Sequence, residues 1–374
     1  MNNYHLSAGK YGCEFLECFM KHSKAQELEP KGIFYYHQGV FLSGVEELYN
    51  LTKNEKYDKY IHDYLDMFVF DNSYISKWRD VATLDMRQPA NLAYRIYNES
   101  KDENYFECIK YCAENLKEYP KNSLGGLFHM PETPYQMWLD SLYMAGPLCV
   151  KYATLTGDTY FYELTIKQAL IMRDKLTDSA SGLMFHAWDE SKEAQWADKE
   201  TGCSKIIWGR ALGWVVVALP QIISMLPDSY KEKAELINMQ KNLITNLVKF
   251  QDKKTGMWFQ VTDSPDKEGN WLETSSTCLF AKGILSSIEL DIIDEIYAKN
   301  AIDAFNGVIE NFYKVNDGEV SIEGICVGTG VDEGNYEHYI NRPTTANDLH
   351  GGGTFLMMCA EMENFNRKRG CEIK

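Results

Sequence analysis

Twenty residues before each of Tyr57, Tyr105, Tyr160 and Tyr230 stand His37, Asp85, Asp140 and Arg210. Each tyrosine follows or ends a polar turn: Lys53-Asn54-Glu55, Lys101-Asp102-Glu103, Thr156-Gly157-Asp158 and Pro227-Asp228-Ser229. Each polar residue opens an apolar stretch of helical character that runs into that turn. Self-similarity at a fixed spacing is the mark of a helical repeat. If the repeats close into a ring, equivalent positions share one rim. A histidine, two carboxylates and an arginine then converge on one cavity, and two carboxylates in one pocket are the minimum equipment for acid/base chemistry on a sugar.

A second echo supports the first. Gly125-Gly126-Leu127-Phe128-His129 returns as Gly182-Leu183-Met184-Phe185-His186 and as Gly256-Met257-Trp258-Phe259-Gln260. The glycines suit tight turns at positive φ. Each echo falls between a tyrosine turn and the next polar helix start, so the longer loops gather at the end that holds those starts. Loops at one end of a scaffold carry function, and His129 and His186 join the rim. A two-helix unit of about 60 residues, repeated six times, accounts for the length. The fifth unit starts near Thr274-Ser275-Ser276-Thr277, twenty residues before Tyr297, and the sixth near Asp348-Leu349-His350. A first helix around Phe15 to Phe19 completes the ring. With no linker or shift in composition, the expectation is one all-α domain over residues 1–374.

The formal net charge of −16 argues against nucleic acid or an anionic membrane surface as partner. An anionic substrate needs local cations, and Arg210 is one. The most apolar run, Trp214 to Leu226, is too short to span a bilayer. No signal peptide is visible, which makes a cytoplasmic location the expectation. The ten cysteines form no C-x-x-C pair and read as buried free thiols of a reducing compartment. The eight histidines are dispersed and no H-E-x-x-H occurs, so neither a metal nor an organic cofactor is expected. The oligomeric state is left open.

Asp140 lies among Trp138, Leu139 and Leu142, and partial burial there should raise its pKa. The competing reading is a helix N-cap. Asp85, four residues before Pro89, also fits capping grammar. Their shared repeat position favours function, because capping does not explain His37 or Arg210. Trp208 and Trp214 bracket Arg210, whose fork suits a carboxylate; the competing reading is an ion pair at a helix end. Aromatic residues are 13% of the chain and can stack on sugar rings, although most should pack between helices. Gly328-Thr329-Gly330 and Gly351-Gly352-Gly353 read as rim loops.

Taken together, Tyr36-His37-Gln38-Gly39, Leu84-Asp85, Pro134 to Met144, Phe185 to Glu190, Trp208-Gly209-Arg210, Thr274-Ser275-Ser276 and Asn347 to Gly351 resemble glycoside hydrolase family 105, the unsaturated rhamnogalacturonyl hydrolases. The resemblance covers nearly the whole chain. It implies an (α/α)6 barrel that removes a 4,5-unsaturated uronic acid from small oligosaccharides left by polysaccharide lyases. The sister family of unsaturated glucuronyl hydrolases shares that fold and mechanism. By resemblance, Asp140 protonates C4 of the enol ether and then activates water for addition at C5, and Asp85 holds that proton in place. Arg210, His129 and His186 bind the uronate, with His37 beside them. Tyr36, Trp138, Trp208 and Trp214 form stacking walls. Ala211-Leu212 departs from the Gly-Asn expected in many relatives, which bears on the second sugar.

Three other readings fit parts of the pattern. A sugar epimerase on this fold would use His129 and His186 as acid and base. An inverting glycosidase needs two carboxylates around a water. A non-catalytic sugar-binding protein needs the aromatic walls and Arg210 but not Asp140.

Overall fold

The computed structural model describes residues 7–70 and 83–370. The principal helices, in chain order, are α1 (Ala8–His22), α2 (Tyr36–Thr52), α3 (Glu55–Phe70), α4 (Ala90–Ser100), α5 (Glu103–Glu114), α6 (Asp140–Thr156) and α7 (Tyr160–Leu176). They continue as α8 (Gly209–Met225), α9 (Lys233–Leu247), α10 (Thr274–Glu289), α11 (Ala298–Phe312), the short α12 (Tyr336–Ile340) and α13 (Leu349–Arg369). Helices α2, α4, α6, α8, α10 and α13 pack side by side and close an inner ring, and α3, α5, α7, α9, α11 and α1 cover them from outside in that order. The first helix lies on the last inner one, which closes the outer layer as the repeat implies. This is the helical toroid expected from the sequence.

The tyrosine turns are the far-end corners of the ring. Tyr57 and Tyr105 are buried at the starts of α3 and α5, where each ties an outer helix to the core. The Gly-aromatic loops form the opposite end. Gly125, Gly182 and Gly256 have φ of +85°, +72° and +74°, the left-handed turn that only glycine adopts without strain. Chain leaving two of these loops pairs into a short antiparallel ribbon, β1 (Gln136–Trp138) with β2 (Ala187–Asp189). A hairpin, β3 (Tyr313–Asn316) with β4 (Glu319–Ile322), follows α11, and β5 (Ile325–Cys326) pairs with β6 (Thr344–Thr345). These ribbons are the departure from a purely helical expectation.

The run Gly351-Gly352-Gly353 is not a rim loop. It lies in the first turns of α13, where α13 meets α2 backbone to backbone. A Cβ on Gly353 would stand 2.6 Å from the Val40 carbonyl oxygen and 2.7 Å from Phe41 Cα, and one on Gly44 would stand 2.5 Å from the Gly353 oxygen. Closeness, rather than turning, explains these glycines. Ala is favoured over Gly by about 1 kcal/mol inside a helix, but overpacking against backbone costs about 1–3 kcal/mol. Gly353→Ala is therefore expected to lower stability in urea unfolding despite its better propensity. A variant more stable than wild type would show that α2 and α13 can separate freely.

Candidate active site

Two carboxylates stand at the loop end of the ring, and neither is a helix cap. Asp140 is the first residue of α6, and the cap position before it belongs to Leu139. Asp85 does not open its helix: it sits in a 3-10 turn, Asp85–Arg87, because α4 begins only after Pro89. There its Oδ2 accepts a hydrogen bond from the Tyr35 hydroxyl at 3.1 Å. Two histidines from the Gly-aromatic loops reach the pair. His129 Nε2 is 3.9 Å from Asp85 Oδ1, and His186 Nε2 is 3.4 Å from Asp140 Oδ2. Each ring is anchored through Nδ1, that of His129 on Ser141 Oγ at 3.0 Å and that of His186 on the Tyr339 hydroxyl at 2.8 Å.

This geometry reverses one electrostatic expectation. Burial pushes the Asp140 carboxyl up, but the approach and charge of His186, with the charge of His129, outweigh it and hold Asp140 below the usual aspartate range. The raised carboxyl is that of Asp85: burial is the main cause, His129 and the Tyr35 hydrogen bond oppose it, and the charge of Asp140 adds to it. The sequence showed the apolar neighbours of Asp140 but not the imidazole 46 positions along the chain.

Arg210, in the first turn of α8, is buried. Its Nη1 donates to the Cys326 carbonyl at 2.6 Å and to Ser275 Oγ at 3.3 Å, and its guanidinium lies 4.8 Å from the Trp208 ring centre. Among the described residues no carboxylate pairs with it within 4.0 Å, so the helix-end ion pair considered from sequence is absent there. A cation at a helix N-terminus is opposed by the helix dipole. Asp140 Oδ2, His186 Nε2 and Arg210 Nη2 are all buried and make no hydrogen bond with the described residues. A buried polar group left unsatisfied costs about 1–3 kcal/mol, so three such groups, with Arg210 and His186 each against the Trp208 ring and Asp140 against His186, mark a site shaped for something besides the protein itself.

His37 and Tyr36 belong to an aromatic cluster beside Arg210. The His37 ring centre is 4.1 Å from that of His350, and Tyr36 Oη is 2.9 Å from His350 Nε2. Asp348 caps α13 by accepting the His350 backbone N–H, and its carboxylate also meets His350 Nδ1. Burial, together with the charge of Arg210, holds His350 below the ordinary histidine range; the charge and hydrogen bond of Asp348 oppose this. A neutral ring that donates Nδ1–H to a carboxylate must accept at Nε2, so Tyr36 donates its proton to His350. Burial and the charge of His350 likewise lower His37.

Trp138 and Trp208 flank the histidines. The His129 ring stacks on Trp138 at 4.5 Å, and Trp208 lies 4.9 Å from His186. Trp214 stands apart from them. It lies six residues beyond Trp208, about 9 Å further along the helix, where its ring stacks on Tyr143 in the core. Sequence adjacency to Arg210 did not encode that depth. Tyr35, Tyr339, His350 and Asp348 were not singled out as site residues. Of these, Asp348 and His350 carry a signal in the sequence, as the sixth helix start and within the Asn347 to Gly351 motif. Gln260, the third echo of the histidine position, accepts from Trp208 Nε1 at 3.1 Å and so supports the wall rather than the carboxylates.

A family model described as Glycosyl Hydrolase Family 88 matches residues 14–366. Unsaturated rhamnogalacturonyl hydrolase YesR of Bacillus subtilis is 25% identical over 330 residues, covering 87% of this chain and 88% of that protein. A family 105 glycoside hydrolase from C. acetobutylicum superposes with a TM-score of 0.89 at 28% identity, over 96% of this chain and 100% of that one. The unsaturated glucuronyl hydrolase of Bacillus sp. GL1 shares the fold at a TM-score of 0.73 and 16% identity, over 97% of each chain. No helix among the described residues is long and apolar enough to cross a membrane.

Proposed function

Because the chain belongs to Glycosyl Hydrolase Family 88 and is a glycoside hydrolase, we propose that it releases a 4,5-unsaturated uronic acid from small lyase-generated oligosaccharides, with rhamnogalacturonan-derived disaccharides as the preferred class. The observation that carries this reading is the unspent hydrogen-bonding capacity of buried Arg210, His186 and Asp140, which Trp208 links through its contacts with Arg210 and His186. Arg210 Nη2 takes the uronate carboxylate, a charge-assisted bond of the kind arginine makes best. His186 and Asp140 face the ring carbons. Trp138 and Trp208 supply the flat walls. The likeness to YesR favours the rhamnogalacturonyl substrate over its glucuronyl counterpart.

In this reading the reaction is hydration of a vinyl ether. A proton moves from Asp140 to C4, water adds at C5 with Asp140 now acting as base, and the hemiketal opens to release the second sugar. In the free enzyme Asp85 is the better proton holder and Asp140 the poorer one. The pair titrates as a unit, and its proton must be on Asp140 at the moment of transfer. Substrate supplies the shift: its carboxylate neutralises Arg210 and its rings expel water, and both changes favour the protonated acid. The test is the ultraviolet absorbance of the unsaturated uronate. Absorbance should disappear as sugar is released. Release without loss of absorbance would indicate direct glycoside cleavage, and loss of neither would remove the hydrolase assignment for that substrate.

The same logic orders the pH profiles. kcat/KM reports the free enzyme and kcat the complex. With Asp140 held low only in the free enzyme, the descending limb of kcat/KM should lie at lower pH than that of kcat. Replacing His186 with Gln removes the group that lowers Asp140 and leaves burial and Asp85, which raise it. The kcat/KM limb should then move to higher pH. Movement to lower pH would show that His186 does not set the proton affinity of Asp140.

A further inference from the structure

Cys18 and His22 are four residues apart at the end of α1, so both side chains lie on one face of the helix. That face packs on β4, whose first residue is Glu319. Glu319 Oε2 is 2.7 Å from Cys18 Sγ and 2.9 Å from His22 Nε2, and one ligand atom from each of the three residues falls within 4.8 Å of the others. The Val320 backbone N–H donates to Cys18 Sγ at 3.2 Å. The thiol is buried, whereas the His22 and Glu319 side chains are 66% and 52% exposed.

We propose that Cys18, His22 and Glu319 form a zinc site, with water in the fourth position, that clamps α1 to the β3–β4 hairpin. The ligand chemistry selects the metal. A thiolate and an imidazole suit zinc and exclude magnesium or calcium, which take oxygen ligands. Zinc bonds of about 2.0–2.3 Å in a tetrahedron set ligand atoms about 3.2–3.6 Å apart. The two spacings from Glu319 Oε2 are shorter by less than about 1 Å, and the two exposed ligands can spread by rotating. The Val320 N–H to sulfur is the outer-layer bond that orients and stabilises a metal thiolate. One thiolate, one carboxylate and a neutral imidazole balance the charge of Zn²⁺. On binding, the Cys18 S–H bond breaks, its proton goes to solvent and a Zn–S bond forms. A thiol ligand must lose its proton to bind, so uptake should release a proton and weaken at low pH. The clamp joins the first helix, which closes the ring on α13, to a hairpin near the other end of the chain.

The experiment titrates the chelator-treated full-length protein with Co²⁺, read by absorbance, and with Zn²⁺, read by competition with a chromophoric chelator. One equivalent should bind, with a thiolate-to-cobalt charge-transfer band that Cys18→Ser abolishes. His22→Ala and Glu319→Gln alter exposed side chains and should leave the fold intact, yet each should weaken zinc by about tenfold or more. Zinc should raise the melting temperature of wild type and not that of Cys18→Ser. Absence of the charge-transfer band in wild type, or its persistence in Cys18→Ser, would overturn the proposal, as would unchanged zinc affinity in both His22→Ala and Glu319→Gln.

Discussion

Asp140→Asn should retain the fold and bind the unsaturated disaccharide nearly as tightly as wild type, yet turn it over about 10²–10⁴-fold more slowly. The amide keeps the size of the side chain at the first residue of α6, where Leu139 and not Asp140 holds the cap position. It removes the group that can both give and take a proton. A group that acts only in the transition state lowers kcat without weakening ground-state binding. The present geometry sharpens the contrast. Asp140 Oδ2 faces His186 at 3.4 Å without an aligned hydrogen bond, and an amide of the same shape can occupy that place. Calorimetry of substrate binding beside single-turnover absorbance separates the two effects. Retention of more than about a tenth of wild-type kcat, far milder than the expected loss, would remove Asp140 from the proton-transfer role.

What was legible in the sequence is what the repeat encodes. Tyr57 and Tyr105 mark outer-helix starts because a buried tyrosine ties each corner to the core, and such a corner recurs with the same spacing. The rim positions Asp140 and Arg210, together with His129 and His186, follow from it. The segment between β5 and β6 belongs to no repeat, and it is this segment that brings Tyr339 to His186 and Gly328 beside Arg210, where a Cβ would stand 3.4 Å from Nη2. The roles of Asp348 and His350 were hidden for a related reason: they stood in view as a helix start, but their partner Tyr36 lies 314 residues away. Trp214 looked like a wall of the site because spacing gives the face of a helix more readily than depth along a pocket. Charge was the least legible quantity. The order of the two carboxyl pKa values turns on imidazoles placed within 4 Å by loops, and no local pattern carries that distance.

Arg210→Ala should raise KM for unsaturated uronides and erase the preference for the free acid over its methyl ester. The guanidinium is already held by the Cys326 carbonyl, Ser275 and the Trp208 face, so Nη1 is committed and Nη2 is the arm left for substrate. A hydrogen bond between charged partners contributes about 1.5–3 kcal/mol, which is about 10- to 150-fold in affinity. Most of that loss should fall on KM, because the carboxylate is charged in the ground state and in the transition state alike. The ester separates this from general damage. Wild type should favour the acid by a margin of this size, and Arg210→Ala should treat acid and ester nearly alike, with ester turnover little changed. Burial is the main cause that holds His37 and His350 toward the neutral form, and it persists when the Arg210 charge is removed, so neither is placed to replace the missing cation. If Arg210→Ala keeps the full preference for the acid, the carboxylate is held elsewhere, and the buried guanidinium serves the Cys326 loop instead.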